Sequence, residues 1–379
     1  MNREAYAAAR TVAPGVQAYF ARRHDDLRRR GIAELAPLPD AATIEAIIDA
    51  AFWTSLRREE GFMPKISLSF VSPADSPHSL IFERPLSLDS KVLTRVAPAV
   101  ERPGIHLAVW RDQDELSVWG VTRTVPVLGF VLEVAAPGLL VIKHHSGEET
   151  GKFINVAVLE GDQIKMVDER GPNLPGRPAI LRPLLGFNSP SSSIESFHII
   201  VELAVSMRAH GHGGALLIVP AGTDSWRESV RQPIQYSVSP PFLEMSRLGH
   251  EITDGQNRGA SQKALARAID AVAGLTAIDG AVVLTDQYHL LGFGAKIARR
   301  KGSQLVEQVL VTEPIEGGRA ALVHPEQLGG TRHLSAAQFV QDQRDAVALV
   351  ASQDGRFTLF EWSHPEAMVH AHRVEALLL

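Results

Sequence analysis

Four short stretches in the second half of the chain could carry chemistry, two of them with residue types suited to metal or phosphate. Asp279-Gly280-Ala281 sets a carboxylate and a glycine at the start of an apolar run. A carboxylate at a strand edge can hold a divalent cation or accept a proton from a hydroxyl. Asp-Gly is also a common turn pair. Gly329-Gly330-Thr331-Arg332-His333 leads into a helical pattern at Leu334–Val340. A helix start leaves backbone N–H groups unpaired, and its dipole favours an anion. Arg332 adds a fork of donors for phosphate oxygens, and His333 can donate to a phosphate or ligate a metal. The plainer alternative makes Thr331 a helix cap and Arg332 a solvated charge. Gly213-Gly214-Ala215 opens another apolar run, and Ser352-Gln353-Asp354-Gly355 reads by itself as a hairpin turn.

Other polar groups carry less. His210 and His212 flank Gly211, which reads as a helix C-cap rather than a metal pair. His144-His145, followed by Ser146-Gly147, reads as an exposed turn. Trp53, Trp110 and Trp119 read as core, and Asp254-Gly255 with Asn257-Arg258-Gly259 as loop.

Positioning these groups requires two kinds of fold. Ala42–Leu56 spaces Ile44, Ile47, Ile48, Ala51, Phe52 and Leu56 on one helix face, with Asp40 as its N-cap. From Lys65 the period changes to two. Alternating runs at 66–70, 105–110, 116–121, 127–134, 139–142 and 153–159 predict a strand-rich, largely antiparallel α+β domain. Pro172, Pro175, Pro178, Pro183 and Pro190 mark a seam over about 170–193. The boundaries that follow are 1–185 for the first domain and 194–379 for the second. The second alternates helix and strand: a helix over 194–209, a strand at 213–219, a helix at 263–275, strands at 281–284 and 292–297, and a closing hairpin of 346–352 with 356–360. That pattern predicts an α/β domain with a mixed central sheet flanked by helices.

Composition narrows the function classes. The 379 residues include no cysteine, which excludes disulfides, thiol catalysis and Cys-ligated metal. Lys and Arg total 38 against 43 Asp and Glu, a charge of −5 that argues against direct nucleic-acid binding. The most apolar stretch, 126–143, is broken by Glu133, Pro137 and Gly138, so no membrane span is expected. A soluble cytoplasmic protein is the expectation.

Taken in order, four motifs resemble the diadenylate cyclase domain. They are Gly-Gly-Ala-Leu-Leu-Ile-Val at 213–219, Asp-Gly-Ala-Val-Val-Leu at 279–284, Leu-Gly-Gly-Thr-Arg-His at 328–333, and Asp-Ala-Val-Ala-Leu-Val-Ala-Ser at 345–352. The resemblance spans roughly Ile194–Glu361. It implies a nucleotidyltransferase that joins two ATP molecules into cyclic di-AMP with release of pyrophosphate. It places catalysis on Asp279, Gly280 and Ala281, with Asp279 holding Mn2+ or Mg2+. It places the triphosphate on Gly330, Thr331, Arg332, His333 and Ser352. One ATP per subunit implies a homo-oligomer with facing sites, and residues 1–185 are then a sensor domain. The chain departs from the family pattern at three places. Leu334 replaces a second arginine, Gln353 replaces an acidic residue, and Ile278 stands where His or Thr often precedes the Asp. Residues 298–328 read as an insertion, whose Arg299, Arg300 and Lys301 could replace the missing arginine or form a solvated turn. The alternative reading is a catalytically weak or inactive nucleotide-binding sensor of the same fold.

Overall fold

A computed structural model describes residues 5–59, 61–112, 115–147, 153–168, 194–253 and 258–379. The chain divides into two compact units, Met1–Asp168 with Leu379, and Glu169–Leu378. The proline-rich seam and residues 254–257 lie outside the described residues, while Arg258 and Gly259, also expected as loop, begin the helix Arg258–Leu275.

The first unit begins with helices α1 (Ala7–Arg29) and α2 (Ala41–Ser55). Asp40 caps α2, its carboxylate accepting the Thr43 N–H at 2.7 Å. Strands β1 (Ser67–Phe70) and β2 (Leu80–Ser87) follow, then α3 (Ser90–Val96). Six strands complete the unit: β3 (His106–Asp112), β4 (Glu115–Thr122), β5 (Phe130–Ala136), β6 (Leu139–His145), β7 (Phe153–Glu160) and β8 (Gln163–Met166). They form one sheet in the order β2-β4-β3-β1-β5-β6-β7-β8. Its pairs are antiparallel except β1 with β3. Ile44, Ile47 and Ile48 of α2 and Val12, Val16 and Phe20 of α1 share a core with Leu68, Phe130 and Leu132. On the other face, the Trp119 indole donates to the Val71 carbonyl at 2.9 Å, beside Ala108. The turn expected at His144-His145 is instead the end of β6, where His144 pairs with Ile154 and is buried.

The second unit opens with α4 (Ile194–Ala209), ended by Gly211 at φ +68°. Next come β9 (Gly214–Val219), β10 (Tyr236–Phe242), α5 (Glu244–Thr253), α6 (Arg258–Leu275), β11 (Ala281–Thr285) and β12 (Leu290–Ala295). The stretch read as an insertion contributes β13 (Val309–Thr312), β14 (Ala321–Val323) and the short α7 (Glu326–Gly329). Then come α8 (Thr331–Asp342), β15 (Val347–Ala351), β16 (Phe357–Ser363) and β17 (Met368–Arg373). The nine strands form a mixed sheet in the order β10-β12-β11-β9-β15-β16-β17-β13-β14. Helices cover both faces. Leu203, Met245 and Ile269 pack with Leu216, Leu284 and Leu349 on one side. Ala336, Phe339 and Val340 of α8 pack with Leu217, Val283 and Phe360 on the other. The alternation of cores along β9 and β15 is the period of two expected for strands buried on both faces.

Candidate functional site

Sheet register brings the chemistry-bearing stretches to one end of the nine-stranded sheet. Ala215 on β9 pairs with Ala281 on β11, and Gly214 pairs with Ala351 on β15. Ala281 also pairs with Ala295, the last residue of β12. Asp279 therefore precedes β11, Gly213 precedes β9, Lys296 follows β12 and Ser352 follows β15 at the same edge. The helix α8 delivers its N-terminus there as well.

Two glycines make this convergence possible. Gly213 lies at φ +69°, and a Cβ built on it would sit 2.8 Å from Arg332 Nη1 and 3.2 Å from the Ala351 carbonyl oxygen. Gly280 lies at φ +117°, and a Cβ on it would sit 2.5 Å from the Gly294 carbonyl carbon. Gly280 thus permits the close crossing of β11 and β12, and Gly213 lets the Arg332 guanidinium lie against the backbone before β9.

One carboxylate and two cations meet at this edge. Asp279 forms an ion pair with Lys296, and its side chain remains 91% exposed. The Lys296 hydrogen bond, then the Lys296 charge, hold the Asp279 carboxyl below its ordinary range, and the Arg332 charge adds to this. Asp279, Lys296 and Arg332 therefore share one electrostatic environment. The Ser352 turn closes around the Ser352 N–H donating to the Arg356 carbonyl at 2.9 Å. Arg208 Nε donates to the Gly355 carbonyl at 3.1 Å and fastens that turn to the end of α4.

Thr331 does not cap α8. The residue before the helix is Gly330, at φ +82°, and no side chain caps this terminus. Thr331 and Arg332 are exposed. His333 is placed differently. Its ring is fully buried, with Nε2 3.3 Å from Thr358 Oγ1 and an edge contact to Phe360. It packs on Gly329, where a Cβ would sit 2.4 Å from the ring. Burial lowers its pKa, so the imidazole is neutral.

Arg300 and Lys301 do not join this group. The Arg300 amide donates to Asp342 Oδ2 at 2.8 Å, and its guanidinium pairs with Glu228 at 3.0 Å. Asp342 is the last residue of α8 and Arg332 the second, about 15 Å apart along the helix axis at 1.5 Å per residue. Arg300 and Lys301 line a cavity of about 790 Å³ with Trp226, Arg344 and Trp362. The missing arginine is therefore not replaced by Arg300 or Lys301, and Leu334 is half-buried against the core that includes Ala336 and Phe339. Sequence reasoning passed over Lys296. The hairpin register reveals it, because a residue just after β12 must lie beside the residues just before β11.

Comparison with known proteins bears on the other unit. Residues 33–123 match the family described as "Probable sensor domain DACNV". An N-terminal sensor domain is supported by that match. No curated protein matches the chain. Among solved structures, the crystal structure of the hypothetical membrane spanning protein from Bacillus cereus is similar, at 16% identity and a TM-score of 0.29. That similarity covers 51% of this chain and 70% of that chain. Among the described residues, no helix is long and apolar enough to cross a membrane.

Proposed function

We propose that the second unit is a diadenylate cyclase domain, joining two ATP molecules into cyclic di-AMP under control of the N-terminal sensor domain. The observation that carries this reading is the gathering of Asp279, Lys296, Arg332 and the Ser352 turn at one sheet edge. Phosphoryl transfer asks the protein for positioning and charge compensation more than for covalent work. The exposed start of α8 and the Arg332 fork cradle the triphosphate. Ser352 hydrogen-bonds the phosphates from the turn after β15. Gly330 lets the chain turn into the helix so that the Thr331 and Arg332 N–H groups point at the ligand.

An exposed, ionised carboxylate at Asp279 suits Mn2+ or Mg2+, which retain several waters and take one or two protein oxygens beside substrate phosphates. Such an ion supplies charge neutralisation at the α-phosphate and lowers the pKa of the attacking ribose 3′-hydroxyl. Asp279 holds it once Lys296 releases the carboxylate, and the freed ammonium can then follow the phosphate charge. His333, buried under the helix start, acts as a positioning residue for Arg332 rather than as a phosphate ligand. Asp279 and Arg332 are both exposed, as a site closed by a second, facing copy of the chain requires.

Incubation of the full chain with ATP and Mn2+ or Mg2+, followed by detection of cyclic di-AMP, tests the reading. Product from the native chain and none from Asp279→Asn is expected. A second reading is favoured by one observation, the packing of Leu334 in the core where a second phosphate-binding arginine would be needed. Losing one charged hydrogen bond costs about 1.5–3 kcal/mol. On that reading the unit is a nucleotide sensor, which binds ATP through Arg332 and yields no product.

A further inference from the structure

We propose that Glu361, His370 and His372 form a binding site for a zinc-class divalent transition-metal ion, separate from the Asp279 edge. Glu361 on β16 pairs directly with His370 on β17, so the two side chains share a face. His372, two residues on, shares it too. Thr312 on β13 pairs with His372 and completes the set on the same face. Glu361 is four residues along β16 from Phe357, which pairs with Ala351 at the Asp279 edge. That spacing is about 13 Å at 3.3 Å per residue.

The geometry suits a small ion. One ligand atom from each of the three residues lies within 4.8 Å of the others. His372 Nε2 and Glu361 Oε1 are 3.2 Å apart. Two ligands of a tetrahedral zinc ion, each about 2.0–2.1 Å from the metal, are separated by roughly 3.3 Å. The Thr312 hydroxyl oxygen lies 2.9 Å from His372 Nδ1 and 3.1 Å from His370 Nε2. With two lone pairs it can accept from both rings. That arrangement leaves the other nitrogen of each ring bare for a metal, the outer partner that ligating histidines ordinarily have. The two rings are 4.0 Å apart. Both imidazoles are buried, at 1% and 0% exposure. Two nitrogens and one carboxylate oxygen select Zn2+ and its neighbours over Mg2+. Three protein ligands leave one position for water, and the Glu361 side chain, 21% exposed, gives that position a route to solvent.

The competing arrangement is a dry hydrogen-bond chain, in which Thr312 donates to His372 Nδ1 and His372 Nε2–H donates to Glu361. Metal titration separates the two. The full chain is stripped with a chelator and titrated with Zn2+ and with Co2+, with uptake read by calorimetry and by the visible absorption of four-coordinate Co2+. One equivalent bound is expected. Glu361→Gln and His372→Gln should weaken uptake at least 100-fold, Thr312→Val by about 10–100-fold as an outer partner does, and Asp279→Asn should leave it unchanged. Circular dichroism before metal addition confirms that each variant is folded. If His372→Gln fails to fold, Glu361→Gln and Thr312→Val decide the matter. No stoichiometric uptake by the folded native chain overturns the proposal, as does uptake indifferent to Glu361→Gln and Thr312→Val.

Discussion

The guanidinium of Arg332, at the start of α8, lies against the backbone of Gly213, just before β9; a Cβ at that glycine would approach Nη1 to 2.8 Å. The contact joins the one exposed helix terminus of the proposed site to the centre of the sheet. Substituting alanine at Gly213 displaces the guanidinium and also strains a backbone at φ +69°. ATP affinity should fall about tenfold in Gly213→Ala. In Arg332→Ala it should fall 10–100-fold, the equivalent of losing one charged hydrogen bond of about 1.5–3 kcal/mol. Because Arg332 is exposed, its substitution should move unfolding stability by no more than about 0.5 kcal/mol. Calorimetric titration with ATP in the absence of divalent metal measures both; unchanged affinity in Arg332→Ala would remove the phosphate cradle from the account.

Lys296 competes with any cation that Asp279 is to hold. Lys296→Met should therefore lower the Mn2+ concentration needed for half-maximal product formation, and Asp279→Asn should abolish product while ATP still binds. The measurement is cyclic di-AMP yield against metal concentration for the native chain and both variants. A metal requirement that is the same with and without the ammonium group contradicts the assigned competition.

Gly280 is expected to be the least tolerant glycine of the second unit. Its φ of +117° and the 2.5 Å approach to the Gly294 carbonyl carbon leave no room for a methyl group. Gly280→Ala should destabilise the unit by about 2–4 kcal/mol through backbone strain and separation of β11 from β12. Chemical denaturation reads the loss directly, and a native-like midpoint would show that the crossing relaxes freely.

The first unit should lose stability on mild acidification. Burial lowers the pKa of His106 and of His144 from 6.5 to about 4. His144 Nδ1 lies 3.1 Å from the His145 carbonyl, while Nε2 has no partner among the described residues. The unfolded chain binds protons on these rings below about pH 6.5 and the folded chain does not, so stability falls as pH drops from 6.5 towards 4. Each ring contributes up to about 3 kcal/mol at the acid end of that window. Denaturant unfolding of the full chain at pH 7.5, 6 and 5 should show the decline, and His144→Leu should lessen it, His106 retaining its share. A pH-independent midpoint over that range would mean that the rings protonate without unfolding.

Elements with a clean apolar period were legible in the sequence. Ile44, Ile47 and Ile48 with the Asp40 cap define α2, and the apolar runs after Gly214 and Gly280 define β9 and β11. The strands that escaped notice lack that contrast. β2 is mostly exposed, with only Phe82 and Leu86 half-buried against the core. β10 contains Pro240 and Pro241, residues an edge strand accepts and a central one does not. β17 alternates as Met-Val-His-Ala-His-Arg, but its histidines are buried where polar residues suggest a surface. The same bias turned His144 into an apparent turn residue. For the site, Asp279 and Arg332 stood out by type and spacing. Lys296 did not, because it becomes their neighbour only through the register of a hairpin.

The strand order of the second unit dictates how it can be made. The central strand β9 is flanked by β11 and β15, whose residues enter the sheet at 281–285 and 347–351. During synthesis, roughly 130 residues must emerge before β9 gains its second neighbour, and pairings so remote in sequence form slowly. Until then β9 presents a bare apolar edge, an invitation to aggregation that a C-terminal deletion reaching β15 would make permanent.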